Sequence, residues 1–257
     1  MTIIIENNEN IRTVILNRPE KLNSVNLKMA TELNQAVNNA ANDQSVQCLV
    51  ITGNGRAFSS GGDVNEMGEH LPKAGNLFYD LTEQIHSTFS TILRMEKPVI
   101  NSLNGVVAGG SLGFALAGDY RIASVSAKIL SAHFKRGFVP AGGATYILPR
   151  LIGLGKTQAL FFGGKTLNSE EMLDWGLVHE VVSDEQLKQR TMEIAKEIAA
   201  GPKTALAETK KLLLESDSLS LDEELRRERE KNQDSGNSGD AVEGIKAFLE
   251  KREPKFE

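Results

Sequence analysis

Short apolar segments separated by polar breaks dominate the first half of the chain. Ile11 to Leu16 is rich in β-branched residues and alternates in polarity, which predicts a strand. Asn17-Arg18-Pro19-Glu20 ends that strand with turn-forming residues. Val46 to Thr52 and Val99 to Leu103 are two further predicted strands.

Helical spacing of apolar residues fills the intervals between these strands. Asn26 to Asn42 places apolar residues three and four positions apart, which predicts an amphipathic helix. Asn76 to Met95 carries a second apolar stripe, and Pro98 marks its end. This alternation of strands and helices predicts an α/β core with a largely parallel sheet.

The C-terminal part of the chain has a different pattern. From Thr191 onward it is helical and highly charged, which is typical of solvated helix faces. Residues 235–240 predict a short break before a last helix, Ala241 to Lys251. We therefore divide the chain into an α/β core over residues 1–190 and a C-terminal helical region over residues 191–257.

Composition and charge exclude several protein classes. Of 257 residues, 40% are hydrophobic and 25% are charged, as in ordinary globular proteins and unlike disordered or membrane-spanning chains. The net charge of −5 argues against nucleic acid as the main partner. The single cysteine, Cys48, can form neither an internal disulfide nor a cysteine zinc site, and we expect no metal. Met1 is not followed by an export signal or a membrane anchor, so we expect a cytoplasmic protein.

Two glycine-rich segments follow predicted strands and carry the first sign of chemistry. Residues 56–63 read Arg-Ala-Phe-Ser-Ser-Gly-Gly-Asp, and residues 104–113 read Asn-Gly-Val-Val-Ala-Gly-Gly-Ser-Leu-Gly before a predicted helix, Leu112 to Ala117. Neither contains a dinucleotide-binding glycine pattern or a Walker lysine, and each alone is typical of a tight turn. Together, two such turns can direct two backbone N–H groups at one oxygen atom, forming an oxyanion hole.

The same two segments resemble the signature segments of the crotonase (enoyl-CoA hydratase/isomerase) superfamily. Leu16 to Ser24 resembles the early coenzyme A-binding loop of that family, and Ala247 to Pro254 resembles its C-terminal signature. Further matches in the later core are Gly137 to Pro140, Leu148 to Arg150 and Trp175 to Val178. The resemblance therefore covers the whole chain.

This resemblance implies a fold and a substrate class. The fold is a crotonase-like spiral of repeated ββα units with a C-terminal helical trimerisation region, and such trimers often pair into hexamers. The substrate is an acyl-CoA, with coenzyme A as part of the substrate and no separate cofactor. The N–H groups of Ser60 and Gly110 would hold the thioester oxygen and stabilise an enolate.

The resemblance also implies a set of substrate-binding residues. Lys21 and Leu22 would lie near the adenine end of coenzyme A, although Lys21 also fits a solvated loop lysine. Phe248 and Lys251 would reach coenzyme A, in the same or a neighbouring subunit, although Phe248 also fits a core anchor. The remaining predicted substrate-binding residues are Gly61, Asp63, Gly109, Gly113 and Ala141.

The carboxylates that the family uses for catalysis are absent at the matching positions. Hydration needs one group to activate water and another to move a proton to carbon. Gly113 and His133 stand at the positions of the two hydratase glutamates, and Ala141 stands where related isomerases carry an acid. Between Glu96 and Glu170 the only carboxylate is Asp119, which matches a structural aspartate of the family.

His133 becomes the main candidate for the proton carrier. Histidine is the commonest general acid or base, but a hydrogen-bonded core histidine is an equally good interpretation of this position. Weaker candidates lie on the segment after the first glycine turn: Asp63, Glu66, Glu69, Tyr79, Asp80, Glu83 and His86.

These residues favour an acyl-CoA enzyme that moves a proton near Cα. Double-bond isomerisation or hydration of an enoyl-CoA is the predicted reaction, and the two-glutamate form of hydration is disfavoured. Two alternatives stay open. One is an acyl-thioester decarboxylase of the same family, in which loss of carbon dioxide creates the enolate without a base. The other is a non-catalytic acyl-CoA-binding or scaffold subunit.

Overall fold

Two β-sheets form the frame of residues 1–256, the part of the chain that the computed structural model describes. The larger sheet has six strands in the order β1-β2-β3-β5-β7-β10, and the smaller has four in the order β4-β6-β8-β9. Neighbouring strands are parallel except for β1 with β2 and β8 with β9. The strands are β1 (Ile3–Asn8), β2 (Ile11–Leu16), β3 (Cys48–Gly53), β4 (Ala57–Ser59), β5 (Val99–Leu103), β6 (Val106–Ala108), β7 (Tyr120–Ser124), β8 (Lys128–Leu130), β9 (Thr166–Asn168) and β10 (Glu180–Val182).

Three successive strand pairs build a spiral. In each pair, β3-β4, β5-β6 and β7-β8, the first strand joins the larger sheet and the second joins the smaller one. Each pair is followed by helical structure, which confirms the predicted ββα repeat. The helices of the described residues are α1 (Leu27–Asn42), α2 (Val64–Glu69), α3 (Gly75–Arg94), α4 (Leu112–Leu116), α5 (Ala144–Phe162), α6 (Ser169–Asp174), α7 (Leu187–Ala199), α8 (Lys203–Glu215), α9 (Leu221–Gly236) and α10 (Gly239–Glu250).

Both faces of the larger sheet are covered, which explains the continuous apolar run in β3. Leu49 and Ile51 join the main core, to which α1 and α3 contribute their apolar stripes. Cys48 and Val50 point to the opposite face and pack in a second cluster with α7. Burial raises the pKa of the Cys48 thiol to about 12, so this cysteine is an inert core residue.

Most predicted elements are present close to their predicted bounds. The strands Ile11–Leu16 and Val99–Leu103 are confirmed residue for residue. Helix α1 begins after Asn26, whose side chain accepts the Met29 N–H as an N-cap. Strand β1 was not predicted, since Ile3-Ile4-Ile5 is followed by polar residues. It is nevertheless held by antiparallel pairing along the whole of β2.

The predicted boundary between residues 190 and 191 falls inside α7. That helix packs on the larger sheet through Leu187 and Ile194 and so belongs to the core. Helices α8, α9 and α10 follow it and leave several large apolar side chains exposed: Leu213, Leu221, Leu225, Val242, Ile245, Phe248 and Leu249. None of the helices in residues 1–256 is both long and apolar enough to cross a bilayer.

An ion pair fastens α8 to the core. Lys210 Nζ lies 2.7 Å from Asp119 Oδ2 and also donates to the Lys97 carbonyl at 3.1 Å. The same Asp119 oxygen accepts the Val99 N–H at the start of β5. Asp119 is therefore engaged in holding the fold together, as its match to a structural aspartate predicted.

Replacing Lys210 by Ala is expected to lower the free energy of unfolding by about 1–3 kcal/mol, because it removes charge-assisted hydrogen bonds from a largely buried ammonium. Urea denaturation of Lys210→Ala, beside Lys211→Ala on the exposed side of the same helix, measures the effect. Equal denaturation midpoints for the two variants would contradict this role of Lys210.

Candidate active site

A cavity of about 720 Å³ lies where the two glycine turns meet α3 and the segment before α5. Its walls include Gly62 from the first turn and Gly109 and Gly110 from the second. Ala132 to Ala141 closes another side, and α3 contributes the apolar side chains of Leu81 and Ile85. The cavity therefore brings together the two sequence segments from which an oxyanion hole was predicted.

The two turns are in direct backbone contact. Gly61 has a φ of +92°, and a Cβ atom there would lie 2.8 Å from the Ala108 carbonyl oxygen and 3.3 Å from the Gly110 nitrogen. Only glycine fits this conformation and this spacing. Gly61, a predicted substrate-binding residue, is buried and does not line the cavity, so its structural role is to pack the two turns together.

The hydrogen bonds of the first turn show which of its N–H groups is free. The Ser60 N–H donates to the Leu22 carbonyl at 3.0 Å, so the prediction of Ser60 as an oxyanion donor is wrong. The Gly61 N–H donates to Ser59 Oγ at 3.3 Å, and the Asp63 N–H donates to the Val25 carbonyl at 2.9 Å. Among residues 60–63, only the Gly62 N–H has no acceptor within residues 1–256.

The orientation of Gly62 follows from its pairing with Val25. The Val25 N–H donates to the Gly61 carbonyl at 2.7 Å, and Val25 accepts from Asp63. In this parallel bridge the Gly61 carbonyl and the Asp63 N–H both face Val25. The N–H of Gly62 itself therefore points away from Val25. Gly62 lines the cavity. The paired glycines in the sequence mark the turn, but only the hydrogen-bond register shows which residue provides the donor.

The second turn supplies N–H groups at a helix start. Gly109 to Ser111 forms a 3-10 turn that leads directly into α4, and the first N–H groups of such a segment have no acceptor within it. Ser111 Oγ donates to the Ala108 carbonyl at 2.7 Å and to the Ser59 carbonyl at 3.0 Å. The second bond joins this turn to the first. Gly110 lies half-buried at the cavity wall.

The loop after β2, which contains Leu22 and Asn23, forms hydrogen bonds with the first glycine turn and the segment before it. Buried Asn23 donates to the Asn54 carbonyl at 2.9 Å and to the Ala57 carbonyl at 2.8 Å. Leu22 does not line the cavity, and its carbonyl holds Ser60 instead. Lys21 is exposed at the cavity wall, where its ammonium group can meet an anionic part of a ligand.

Asp63 is the one carboxylate among the cavity-lining residues of the described chain, and it is already paired. Its Oδ2 lies 2.7 Å from Arg18 Nη2, and its Oδ1 accepts the Asn65 N–H at the start of α2. Burial opposes the charged form, but these hydrogen bonds outweigh it and lower the pKa of Asp63. Asp63 therefore stays ionised and occupied, which is unsuitable for a general base.

The other candidates on this segment are also accounted for. Glu66 Oε2 accepts the Leu27 N–H at 3.1 Å at the start of α1. Tyr79 lines the cavity with a largely exposed ring. His86 Nε2 accepts the Gly142 N–H at 3.2 Å. Glu69, Asp80 and Glu83 do not line the cavity.

Gly113, a predicted substrate-binding residue, packs against the turn before α5. It is fully buried and does not line the cavity. A Cβ atom on Gly113 would lie 1.6 Å from the Gly142 carbonyl oxygen and 2.8 Å from the Ala144 nitrogen. The backbone of residues 142–144 thus occupies the space into which a side chain at position 113 would have to project. Ala141, the residue before this segment, does line the cavity.

His133 is a buried imidazole without a hydrogen-bond partner. Its side chain lines the cavity, the residue is 5% exposed, and neither ring nitrogen has a partner within residues 1–256. Its ring meets the Phe161 ring edge-on at a centroid distance of 6.1 Å. Burial, with a smaller contribution from the Arg136 charge, lowers the pKa of His133, so its ring is neutral at pH 7. The interpretation as a hydrogen-bonded core histidine is therefore wrong.

An apolar wall completes the cavity. The rings of Phe78 and Phe138 meet edge-on with centroids 5.0 Å apart, and Met67 lies in the same lining. Phe78 lies in α3, whereas Phe138 follows the 3-10 turn Phe134–Arg136. Phe248, which is 83% exposed, and Lys251 do not line the cavity of their own chain. Phe248 is thus not a core anchor.

Comparisons with known proteins find relatives that match nearly the whole chain. The family described as "Enoyl-CoA hydratase/isomerase" matches residues 6–257. The chain is 35% identical to 1,2-epoxyphenylacetyl-CoA isomerase of Escherichia coli, with 96% of this chain and 94% of the relative covered. It is 32% identical to crotonyl-CoA hydratase of Syntrophomonas wolfei, with 99% and 97% covered.

A solved structure shows the same fold. The crystal structure of an enoyl-CoA hydratase from Polaromonas sp. JS666 superposes with a TM-score of 0.94 at 28% identity, covering 99% of both chains. Sequence and structure thus lead to one assignment, in which this chain, with its crotonase fold, belongs to the enoyl-CoA hydratase/isomerase family.

Proposed function

We propose that this protein is an acyl-CoA isomerase-type enzyme that moves a proton along an enoyl thioester. The N–H groups of Gly62 and Gly110 hold the thioester oxygen, and His133 carries the proton. The observation that carries the proposal is the single neutral, unpartnered imidazole of His133 in the cavity wall that also contains these two glycines. Relatives named as an isomerase and as a hydratase of CoA thioesters support the proposal of an acyl-CoA enzyme.

The reaction follows from the charge that develops on the thioester. Neutral His133 removes a proton from Cα of a 3-enoyl thioester, and the electron pair delocalises into a dienolate. The two N–H donors stabilise the negative oxygen, and loss of one such donor typically costs about 3–4 kcal/mol of transition-state stabilisation. The imidazolium then returns the proton to Cγ, which gives the 2-enoyl thioester and restores neutral His133.

Hydration by two carboxylates does not fit these residues. One acid position is Gly113, where the Gly142 backbone leaves no room for a side chain. The carboxylate that does line the cavity, Asp63, is paired with Arg18 and caps α2. Moving a proton from one carbon atom to another needs only one carrier. Because this reaction is redox-neutral, we propose that it needs no cofactor besides the coenzyme A of the substrate.

Decarboxylation is the second candidate, and Arg136 favours it. Arg136 lines the cavity and lies near enough to His133 to lower the pKa of its ring. A guanidinium in this position can hold the carboxylate of a malonyl-type thioester. Loss of carbon dioxide leaves its electron pair on Cα as the enolate, and protonation of Cα completes the reaction without a general base.

Mass spectrometry of thioesters incubated with the protein in heavy water tests these proposals. With 3-enoyl-CoA we expect deuterium uptake and a moved double bond without added water. A 3-hydroxyacyl product would contradict the isomerase proposal in favour of hydration. Turnover of malonyl-type thioesters alone would favour decarboxylation. Saturable binding of acyl-CoA without any turnover would indicate a non-catalytic binding subunit.

His133→Gln and His133→Ala are expected to lose about 10²- to 10⁴-fold in kcat while acyl-CoA binding is retained, because neither side chain can carry the proton. In the wild-type protein, kcat/KM should fall as the pH drops through a pKa below 6.5, since protonation removes the base and burial lowers the pKa of His133. Unchanged turnover in both variants would exclude His133 as the carrier.

Gly113→Glu is expected to gain no hydratase activity and to unfold more easily. Its Cβ atom would overlap the Gly142 carbonyl, and overpacking of this kind costs about 1–3 kcal/mol. Gly113→Ala isolates the steric effect, and Gly68→Ala is the matched control, since a Cβ at Gly68 meets nothing within 4 Å. A stable Gly113→Ala variant would contradict the packing argument.

A homotrimer, or a hexamer of two trimers, is the oligomeric state that we propose. The exposed apolar residues of α9 and α10, such as Leu225, Ile245 and Phe248, form a surface that is typical of a protein–protein interface. This assembly is also the route by which Phe248 and Lys251 would reach coenzyme A bound to a neighbouring subunit.

Light scattering during size-exclusion chromatography should give three or six times the monomer mass. Phe248→Asp is expected to shift the population toward smaller species, because it places a charge on the apolar surface. Leu71→Asp, at an exposed leucine outside these helices, should not change the mass. A monomeric mass for the wild-type chain would contradict the proposal.

A further inference from the structure

The turn at Ala141–Gly143 is wedged between α3 and the second glycine turn. A Cβ atom on Gly142 would lie 2.1 Å from the Gly110 carbonyl oxygen and 3.4 Å from Ile85 on α3. A Cβ atom on Gly143 would lie 2.6 Å from the ring of Phe89, again on α3. The turn thus abuts the residue whose N–H is proposed to bind the thioester oxygen.

This turn has little stiffness of its own. Gly142 and Gly143 both have positive φ, +70° and +84°, and two successive glycines give the backbone more freedom than any other pair. Within the turn, the Ala144 N–H donates to the Ala141 carbonyl at 3.4 Å, and the Gly142 N–H has no backbone acceptor in residues 1–256. The orientation of the Ala141–Gly142 peptide group therefore depends on a side-chain acceptor.

His86 provides that acceptor. Its Nε2 accepts the Gly142 N–H at 3.2 Å, and Gly142 is buried, so its N–H would be costly to leave unpaired. The bond requires a neutral ring that carries its proton on Nδ1, since a protonated Nε2 has no lone pair to accept with. His86 itself does not line the cavity and cannot touch the substrate.

We propose that His86 is a positioning residue: by accepting the Gly142 N–H it locks the Ala141–Gly143 turn against Gly110 and Gly113 and thereby orients the Gly110 oxyanion donor. The Gly142 carbonyl, in the next peptide group of the same turn, lies where a side chain on Gly113 would have to project. The catalytic consequence rests on the proposed function, whereas the structural consequence does not.

His86→Leu and His86→Gln separate this role from general packing. Leu has a similar bulk and no acceptor, whereas Gln offers its side-chain oxygen to the Gly142 N–H. For 3-enoyl-CoA turnover, we expect His86→Leu to lower kcat about 5- to 20-fold, the loss of roughly one hydrogen bond, with KM within about twofold of wild type. His86→Gln should stay within about threefold in kcat, and so should Ser87→Ala on the same helix.

Hydrogen exchange provides a readout that does not depend on turnover. The peptide covering Gly142 should lose protection in His86→Leu and keep it in His86→Gln, with the rest of α3 unchanged in both. Equal kcat and equal protection in wild type and His86→Leu would overturn the proposal, and so would failure of His86→Gln to restore both.

Failure of the proposed function is distinguishable from failure of this inference. If the wild-type protein turns over no thioester, the proposed function fails. Hydrogen exchange alone then tests whether His86 fixes the turn. Protection lost in His86→Leu and kept in His86→Gln then still supports His86 as the residue that fixes the turn. Unchanged protection in His86→Leu then overturns it.

Discussion

The rest of the site depends on the close backbone contact of three glycine-bearing turns. Gly61 lies against Ala108 and Gly110, Gly142 lies against the Gly110 carbonyl, and Gly113 lies against the Gly142 carbonyl. At each of these contacts a side chain would collide with backbone. Only because the turns meet without side chains can N–H groups from two separate ββα units face one cavity.

This packing also agrees with the proposal of a single proton carrier. The turn that lies against Gly110 is the turn that fills the space beside Gly113, so the backbone that contacts the proposed oxyanion donor leaves no room for a side chain at position 113. The remaining polar groups divide into two kinds. Asp63 and Glu66 are engaged in holding turns and helix starts, whereas His133 keeps both ring nitrogens free.

Much of the fold and the general position of the site could be predicted from the sequence, because both depend on local signals. The strands at Ile11–Leu16 and Val99–Leu103 follow from short segments rich in apolar residues, and α1 follows from apolar residues three and four positions apart. Which N–H of the first glycine turn is free could not be predicted, since it depends on the Leu22 carbonyl of a distant loop, which accepts the Ser60 N–H. The exclusion of a side chain at Gly113 depends on a turn 29 residues away in sequence, whose approach no spacing reveals.

The vibrational spectrum of a bound enoyl-CoA, labelled with ¹³C at the thioester carbonyl, tests the central claim most directly. If the N–H groups of Gly62 and Gly110 hold the thioester oxygen, the carbonyl stretch shifts to lower frequency on binding than in water, because two fixed donors polarise the bond. The shift should persist in His133→Gln, which leaves both donors in place. A bound thioester whose carbonyl stretch matches that in water would contradict the account.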